Sequence, residues 1–482
     1  MVFSDLFFLF VFIPAFALCY LTGTALDSML QKGTEPALFR WRNLSLILFS
    51  LIFYAWGEPV YVFLMLFCVM MNYGAGLLIG DRKGKERKWA LAAGLTGNLI
   101  ILGTFKYLSF FVAQLNLLGL SVADPLISFP IGISFYTFQS ISYLIDVYRR
   151  ETPVQRRFLD LLLYISMFPQ LIAGPIVRYG TVAHEIADRH VTVSDFSEGT
   201  YRFLRGLAKK VILANQLSEI SDQFLVNGLS ELTTTGAWVG IIAFTLQIYF
   251  DFSGYSDMAI GMGRCLGFHF NENFRHPYCC DSITDFWRRW HISLGSFFRD
   301  YVYIPMGGNR SHQALNIMVV WFLTGMWHGA SWNFIIWGVY FGLIVMLEKY
   351  TLLRSHQRVP RPLLHLYSMI LVIIGWGIFY FDDFSRMTYF FQTFFGQMGE
   401  LHDFVTISAI TDNGWLWIVA IILCLPVRTT ALSLLENRTQ EGGWVRETCL
   451  FTTRTVLSII ILVLSAALLV GATNNAFIYT RF

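Results

Sequence analysis

Trp327-His328 sits in the run Gly325-Met326-Trp327-His328-Gly329-Ala330-Ser331-Trp332. It places an ionisable imidazole inside a stretch, residues 311–347, that has no Asp, Glu, Lys or Arg. A polar side chain at membrane depth is costly and marks a functional hypothesis by default. Imidazole is the side chain best matched to taking a proton near neutral pH. His328 is therefore either a general base or a packed histidine bonded to a backbone carbonyl. A second group of candidates lies upstream, in Asp285-Phe286-Trp287-Arg288-Arg289-Trp290-His291-Ile292-Ser293-Leu294. At helical spacing Trp287, His291, Leu294 and Phe298 share one face, and Arg288 and Arg299 can point elsewhere. An aromatic face with arginines suits a helix lying at the membrane interface among lipid headgroups. It also suits a surface that receives nucleotide phosphates, whose geometry the guanidinium fork matches.

Two carboxylates, Asp251 and Asp257, fall inside an otherwise apolar span, in Tyr249-Phe250-Asp251-Phe252-Ser253-Gly254-Tyr255-Ser256-Asp257. Buried charges need partners, so these two hold a polar network or a ligand. His269, His276, Cys279 and Cys280 match no closed zinc spacing, and no metal site is expected. Most of the seven cysteines lie in apolar runs, where cysteine behaves as a small hydrophobe. No Gly-x-Ser-x-Gly elbow occurs, and no cysteine neighbours His328 in sequence.

The elements that must position these residues are membrane helices. The chain has 482 residues, 55% hydrophobic and only 14% charged, where soluble domains carry about 25% charge. A net charge of +3 is too small to imply nucleic acid. The first apolar run, residues 6–20, has no basic residue before it and no small-residue cleavage site after it, and reads as a retained span. Expected spans are 6–22, 43–57, 60–80, 89–111, 127–145, 211–226, 236–262, 364–380, 415–427 and 454–472, about ten in all. Basic clusters at 81–88, 149–157, 202–210, 349–361 and 428–454 alternate with segments poor in Lys and Arg, 112–128, 222–238, 381–414 and 474–480. The positive-inside rule puts the first set in the cytoplasm and both termini outside. Segments 159–178 and 313–347 then begin and end on the cytoplasmic side, so each must be a re-entrant loop or a hairpin. Pro169, Gly174 and Pro175 break the first. Gly325 and Gly329 break the second into two arms, each too short to cross, with His328 at the floor. Residues 264–310 form cytoplasmic interfacial helices, and 364–482 hold the last spans. The whole chain, 1–482, reads as one transmembrane domain without an internal repeat.

Taken together these motifs resemble the membrane-bound O-acyltransferase (MBOAT) family, and within it the branch of alginate O-acetyltransferase membrane subunits. The resemblance is carried by Met1-Val2-Phe3-Ser4, by Phe129-Pro130-Ile131-Gly132-Ile133-Ser134-Phe135-Tyr136-Thr137-Phe138-Gln139, and by Phe168-Pro169-Gln170-Leu171-Ile172-Ala173-Gly174-Pro175-Ile176. Asp251 to Asp257, Phe286 to His291, Tyr303-Ile304-Pro305-Met306-Gly307-Gly308-Asn309-Arg310 and Trp327-His328-Gly329-Ala330 follow in order. Each motif is weak alone; in this order over nearly the whole chain they are specific.

The resemblance implies an all-α polytopic bundle with a buried tunnel, in a bacterial cytoplasmic (inner) membrane. His328 matches the family's catalytic histidine and His291 its second functional histidine. Trp287, Arg288, Arg289, Trp327, Asn309, Asp251 and Asp257 are the candidates for binding the donor or supporting the histidines. Such proteins move an acetyl group from a cytoplasmic thioester, acetyl-CoA, to an extracytoplasmic hydroxyl, directly or through an SGNH-type partner that modifies a polysaccharide such as alginate. No bound cofactor is implied. A related branch transfers D-alanine in teichoic acid synthesis from an acyl carrier protein. The residues past 349, with further spans, look more like the alginate type. One departure is the ending Asn474-Asn475-Ala476-Phe477-Ile478-Tyr479-Thr480-Arg481-Phe482, which lacks the proline that the alginate type has before Phe-Ile-Tyr. A transporter is the competing class, since membrane histidines and carboxylates also relay protons. Transporters carry matched inverted repeats, and none is visible.

Overall fold

Apolar runs of this length leave the backbone no solvent to bond, so the chain satisfies its amides within helices. The computed structural model describes residues 1–30, 40–172, 174–352, 359–427 and 443–472. No strand occurs among the described residues. The ending 474–482 lies outside them. Among the described residues seven helices are long and apolar enough to cross a membrane, or up to eight if the bent pair Phe404–Thr411 and Gly414–Cys424, angled at 62°, is one span. The sequence reading expected about ten. Two of the expected spans, Trp41–Gly57 and Ile133–Arg149, are helices of 17 residues.

The chain forms two compact units. One comprises Met1–Phe203 and Tyr255–Asn271. It holds the spans Phe8–Leu30, Tyr61–Asp81 and Gly84–Leu117. Its helix Ile133–Arg149 buries an unusual number of polar side chains, among them Ser134, Thr137, Gln139, Ser140 and Asp146. The segment expected to re-enter is broken into Phe158–Ser166 and Phe168–Leu171, with Pro169 in the first turn of the second helix, where its missing N–H costs nothing. Its irregular return is tied back by the Tyr164 hydroxyl, which donates to the Val177 carbonyl at 2.8 Å.

The other unit comprises Leu204–Gly254 and Glu272–Phe482. Its centre is the hairpin Gln313–His328 and Trp332–Tyr350, followed by the span Arg361–Tyr380. The arms are unequal. The first has 16 residues, about 24 Å of helix at ~1.5 Å per residue. The second has 19 and is long enough to cross by itself, so the expectation that both arms fall short holds for the first alone. The break is also narrower than expected. Gly325 lies within the first helix, and only 329–331 are non-helical. Gly325 serves packing instead: a Cβ there would collide with the Phe334 carbonyl, and one at Gly338 with the Trp321 carbonyl. The two glycines let the arms cross in backbone contact.

Candidate active site

The helix Ile283–Arg289 is short and needs its exposed amides capped. Ser282 Oγ accepts from the Asp285 amide at 3.0 Å. The Glu348 carboxylate, 1% exposed, accepts from the Ile283 and Thr284 amides at 2.7 and 2.8 Å and from the Thr284 hydroxyl at 2.7 Å. A carboxylate at a helix N-terminus is favoured by the helix dipole. This one locks the helix bearing Trp287 and Arg288 to the second arm of the hairpin. Neither Glu348 nor Asn273, introduced next, was among the sequence candidates. Each left a trace: Glu348 is the acid that ends the uncharged run, and Asn273 belongs to the polar group Asn271-Glu272-Asn273 just after the long span.

The continuous helical face expected from Trp287 to Phe298 does not form. Trp290 is extended and His291 is left-handed (φ 44°, ψ 54°), before a new helix, Ile292–Phe298. For a residue with a Cβ this conformation costs about 1–2 kcal/mol. The neighbouring segment offsets it. The Arg275 amide donates to the Arg289 carbonyl at 2.9 Å and the Ile292 amide to the Asn273 carbonyl at 3.0 Å. The kink also buries Trp290, 1% exposed, against Phe274 and Trp376, with ring centroids 5.1 and 4.9 Å away.

The kink does what the straight helix was expected to do. Trp287, His291, Leu294 and Phe298 line one cavity of about 450 Å³. His328, the last residue of the first arm, lines it too, with Trp321 and Thr324 from the same arm. Arg288 and Arg299, which helical spacing left free to point elsewhere, also line this cavity, and both are exposed. Arg299 also pairs with Asp300 at 2.6 Å, a bond that raises its pKa further. The site thus has a cationic rim and two buried imidazoles.

The two histidines are held differently. His291 is 2% exposed, and its Nδ1 lies 3.1 Å from Asn273 Oδ1. His328, 5% exposed, is enclosed by rings, with centroids of Trp327, Trp337 and Phe379 at 5.0, 4.9 and 5.2 Å. Trp327 also packs on His291 at 5.5 Å, so one indole contacts both imidazoles.

Four of the sequence candidates, Trp287, Arg288, His291 and His328, therefore meet in one cavity, with Trp327 packed against both histidines. The other four are placed differently. Arg289 turns to Asp285 at 2.9 Å. Asn309 accepts from the Tyr303 hydroxyl at 2.8 Å, Gln313 Nε2 at 2.6 Å and Lys349 Nζ at 2.8 Å, and so ties the loop before the hairpin to the end of its second arm. Asp251 pairs with Lys210 Nζ at 2.8 Å, both almost fully buried. Asp257, in the other unit, pairs with Arg202 at 2.9 Å. Each carboxylate is thus held in an ion pair within its own unit. His276 Nδ1 and Cys279 Sγ both bond the Cys424 carbonyl, at 3.2 and 3.5 Å. Among the described residues no group of three or more His, Cys, Asp or Glu side chains could hold a metal.

Buried imidazoles that can exchange a proton stand here beside guanidinium groups that can hold an anion. The signature of the membrane-bound O-acyltransferase family matches residues 149–425, and the chain belongs to that family. It is a multi-pass membrane O-acyltransferase. It is 43% identical to a probable alginate O-acetylase of Azotobacter vinelandii, over 79% of this chain and 75% of that one. It is 34% identical to a peptidoglycan O-acetyltransferase of Helicobacter pylori, over 79% and 77%. A teichoic acid D-alanyltransferase of Bacillus subtilis is 27% identical over 46% of this chain and 58% of its own.

Proposed function

We propose that this protein moves an acetyl group from acetyl-CoA, bound from the cytoplasm, to a hydroxyl on the other side of a bacterial inner membrane, for O-acetylation of a polysaccharide. The observation that carries the reading is the single cavity shared by His328, His291 and an exposed arginine rim. Arg288 and Arg299 attract the phosphates of the donor. His291 holds the thioester in place. The acceptor oxygen attacks the thioester carbonyl while His328 takes its proton. The tetrahedral intermediate then expels the thiolate, which recovers that proton from the imidazolium. No acyl-enzyme is needed.

The basic clusters at 81–88 and 202–210 favour a cytoplasmic donor side and extracytoplasmic termini. The names of the alginate and peptidoglycan relatives support acetyl as the cargo and a polysaccharide as the destination. The family resemblance supports an SGNH-type partner that receives the acetyl group outside and chooses the polymer. D-alanyl transfer is the weaker reading, because likeness to that branch is lower and covers about half the chain. The test is purified protein given labelled acetyl-CoA. Label should leave the thioester in wild type and stay on it in His328→Ala. An intact thioester with wild-type protein, also when an SGNH-type partner and acceptor are supplied, would sink the reading.

A further inference from the structure

We propose that Asn273 is a positioning residue that fixes the tautomer of His291, so that His291 meets the substrate as a hydrogen-bond acceptor. The proposal deepens the acyl-transfer reading and rests on it only for its kinetic consequences.

Three groups converge on Asn273 Oδ1: the Ser293 backbone amide at 3.2 Å, the Ser293 hydroxyl at 2.9 Å and His291 Nδ1 at 3.1 Å. A backbone N–H can only donate, so the shared atom is the carbonyl oxygen and not the amide nitrogen. That oxygen can only accept, so the contact at 3.1 Å puts the imidazole proton on Nδ1; the Ser293 hydroxyl also lies 3.4 Å from Nδ1, but its own proton goes to the same oxygen at the shorter 2.9 Å. In a neutral ring the other nitrogen, Nε2, then carries a lone pair. Burial pushes the His291 pKa down to about 3, so the ring is neutral at physiological pH.

The arrangement is rigid on every side. Asn273 is 1% exposed. Its backbone carbonyl bonds the Ile292 amide at 3.0 Å, immediately after His291. The edge-on ring of Phe252 at 4.7 Å and that of Trp327 at 5.5 Å fix the imidazole plane. The polar group that faces the ring at Nδ1 is a neutral amide.

A ring in this state has no proton to offer at Nε2. It does not stabilise the oxyanion of the tetrahedral intermediate. It accepts from an N–H or O–H of the bound substrate, and thereby orients the thioester beside His328. The two histidines then divide the work: His328 exchanges protons, and His291 does not.

Two measurements test this. The first needs no substrate: 15N spectra of histidine-labelled protein, with His291 assigned by its loss in His291→Gln, should show a protonated Nδ1 and a bare Nε2. A protonated Nε2 would overturn the proposal whatever the enzyme acylates. The second is the pH profile of acetyl-CoA turnover. Asn273→Asp keeps the acceptor but adds a charge that holds a second proton on the ring, so the acid limb of kcat/KM should move to higher pH. Asn273→Ala should lower kcat/KM by roughly tenfold to a hundredfold, as loss of a histidine-orienting partner does elsewhere. A purely structural asparagine would lower the yield of folded protein in both variants and leave the pH profile of the folded fraction unmoved. That outcome also overturns the proposal. Absence of turnover in wild type would count against the acetyltransferase reading and leave the spectral test standing.

Discussion

His291 and His328 both sit at breaks between helices, and the molecule secures them by opposite means. The break at His291 is polar: a left-handed residue, backbone bonds to residues 273–275, and an asparagine bonded to the ring. The break at His328 is packed by backbone glycine contacts, a three-residue turn and edge-on aromatic rings. Hydrogen bonds fix a proton's location as well as a ring's position, whereas ring packing fixes position alone. A histidine that must pick up and release a proton is better served by the second kind of support. One that must keep a single protonation state is better served by the first.

The contrast can be broken at several points. The largest effect is expected at His328 itself. His328→Ala should lower acetyl transfer by roughly 10²- to 10⁴-fold, the usual contribution of a general base. The assay is thiol release from acetyl-CoA by protein that still elutes as wild type, and substantial residual turnover would remove the base from the mechanism. Truncating the rings around it should cost stability: Phe379→Ala or Trp337→Ala should lower the unfolding free energy by about 3–5 kcal/mol. Unchanged melting in detergent would mean that packing does not hold His328.

Smaller effects belong to the polar side. Glu348→Gln turns an amide N–H toward helix amides that need an acceptor, and should cost about 1.5–3 kcal/mol. It should also raise KM for the thioester, because Arg288 and Trp287 ride on the helix that Glu348 caps. An unaltered KM would separate that helix from donor binding.

The His291 pKa is depressed on folding, so the unfolded chain binds this proton first. The stability its neutral form contributes is complete above about pH 6.5 and declines as pH falls toward 3. Melting temperature should therefore drop on acidification less steeply in His291→Gln than in wild type; equal slopes would contradict a buried neutral ring. The smallest effect is at the rim. Arg288→Lys keeps the charge and loses the fork, so KM should rise only a few-fold, within the ~1 kcal/mol typical of exposed ion pairs. The rise should shrink at high salt.

Much of this was legible in the sequence, for identifiable reasons. His328 stood out because an imidazole deep within a run that lacks Asp, Glu, Lys and Arg is expensive at membrane depth. The Trp287–His291–Leu294–Phe298 set was chosen by helical period, and those four side chains do line one cavity, although no continuous helix carries them. The period grouped residues that the fold does bring together, but by another route: the kink at Trp290-His291, not a straight helix, turns them to one cavity. Asn273 and Glu348 went unread because their roles depend on partners 18 and 65 positions away. No local pattern marks an amide or an acid for such a task.

What the sequence determined by itself is the solvent and the class of chemistry. Long uncharged runs commit the backbone to helices in a bilayer, and a histidine in one of them is either a proton-transfer group or a packed one. Tertiary structure decided which polar groups became partners. It bound Asp251 to Lys210 and Arg289 to Asp285, turned Arg288 and Arg299 onto one rim, and put Asn273 against His291. The physical reason is range. Burial is a property of composition that a window of residues reports, whereas a hydrogen bond reaches about 3 Å and joins whatever the fold brings that close.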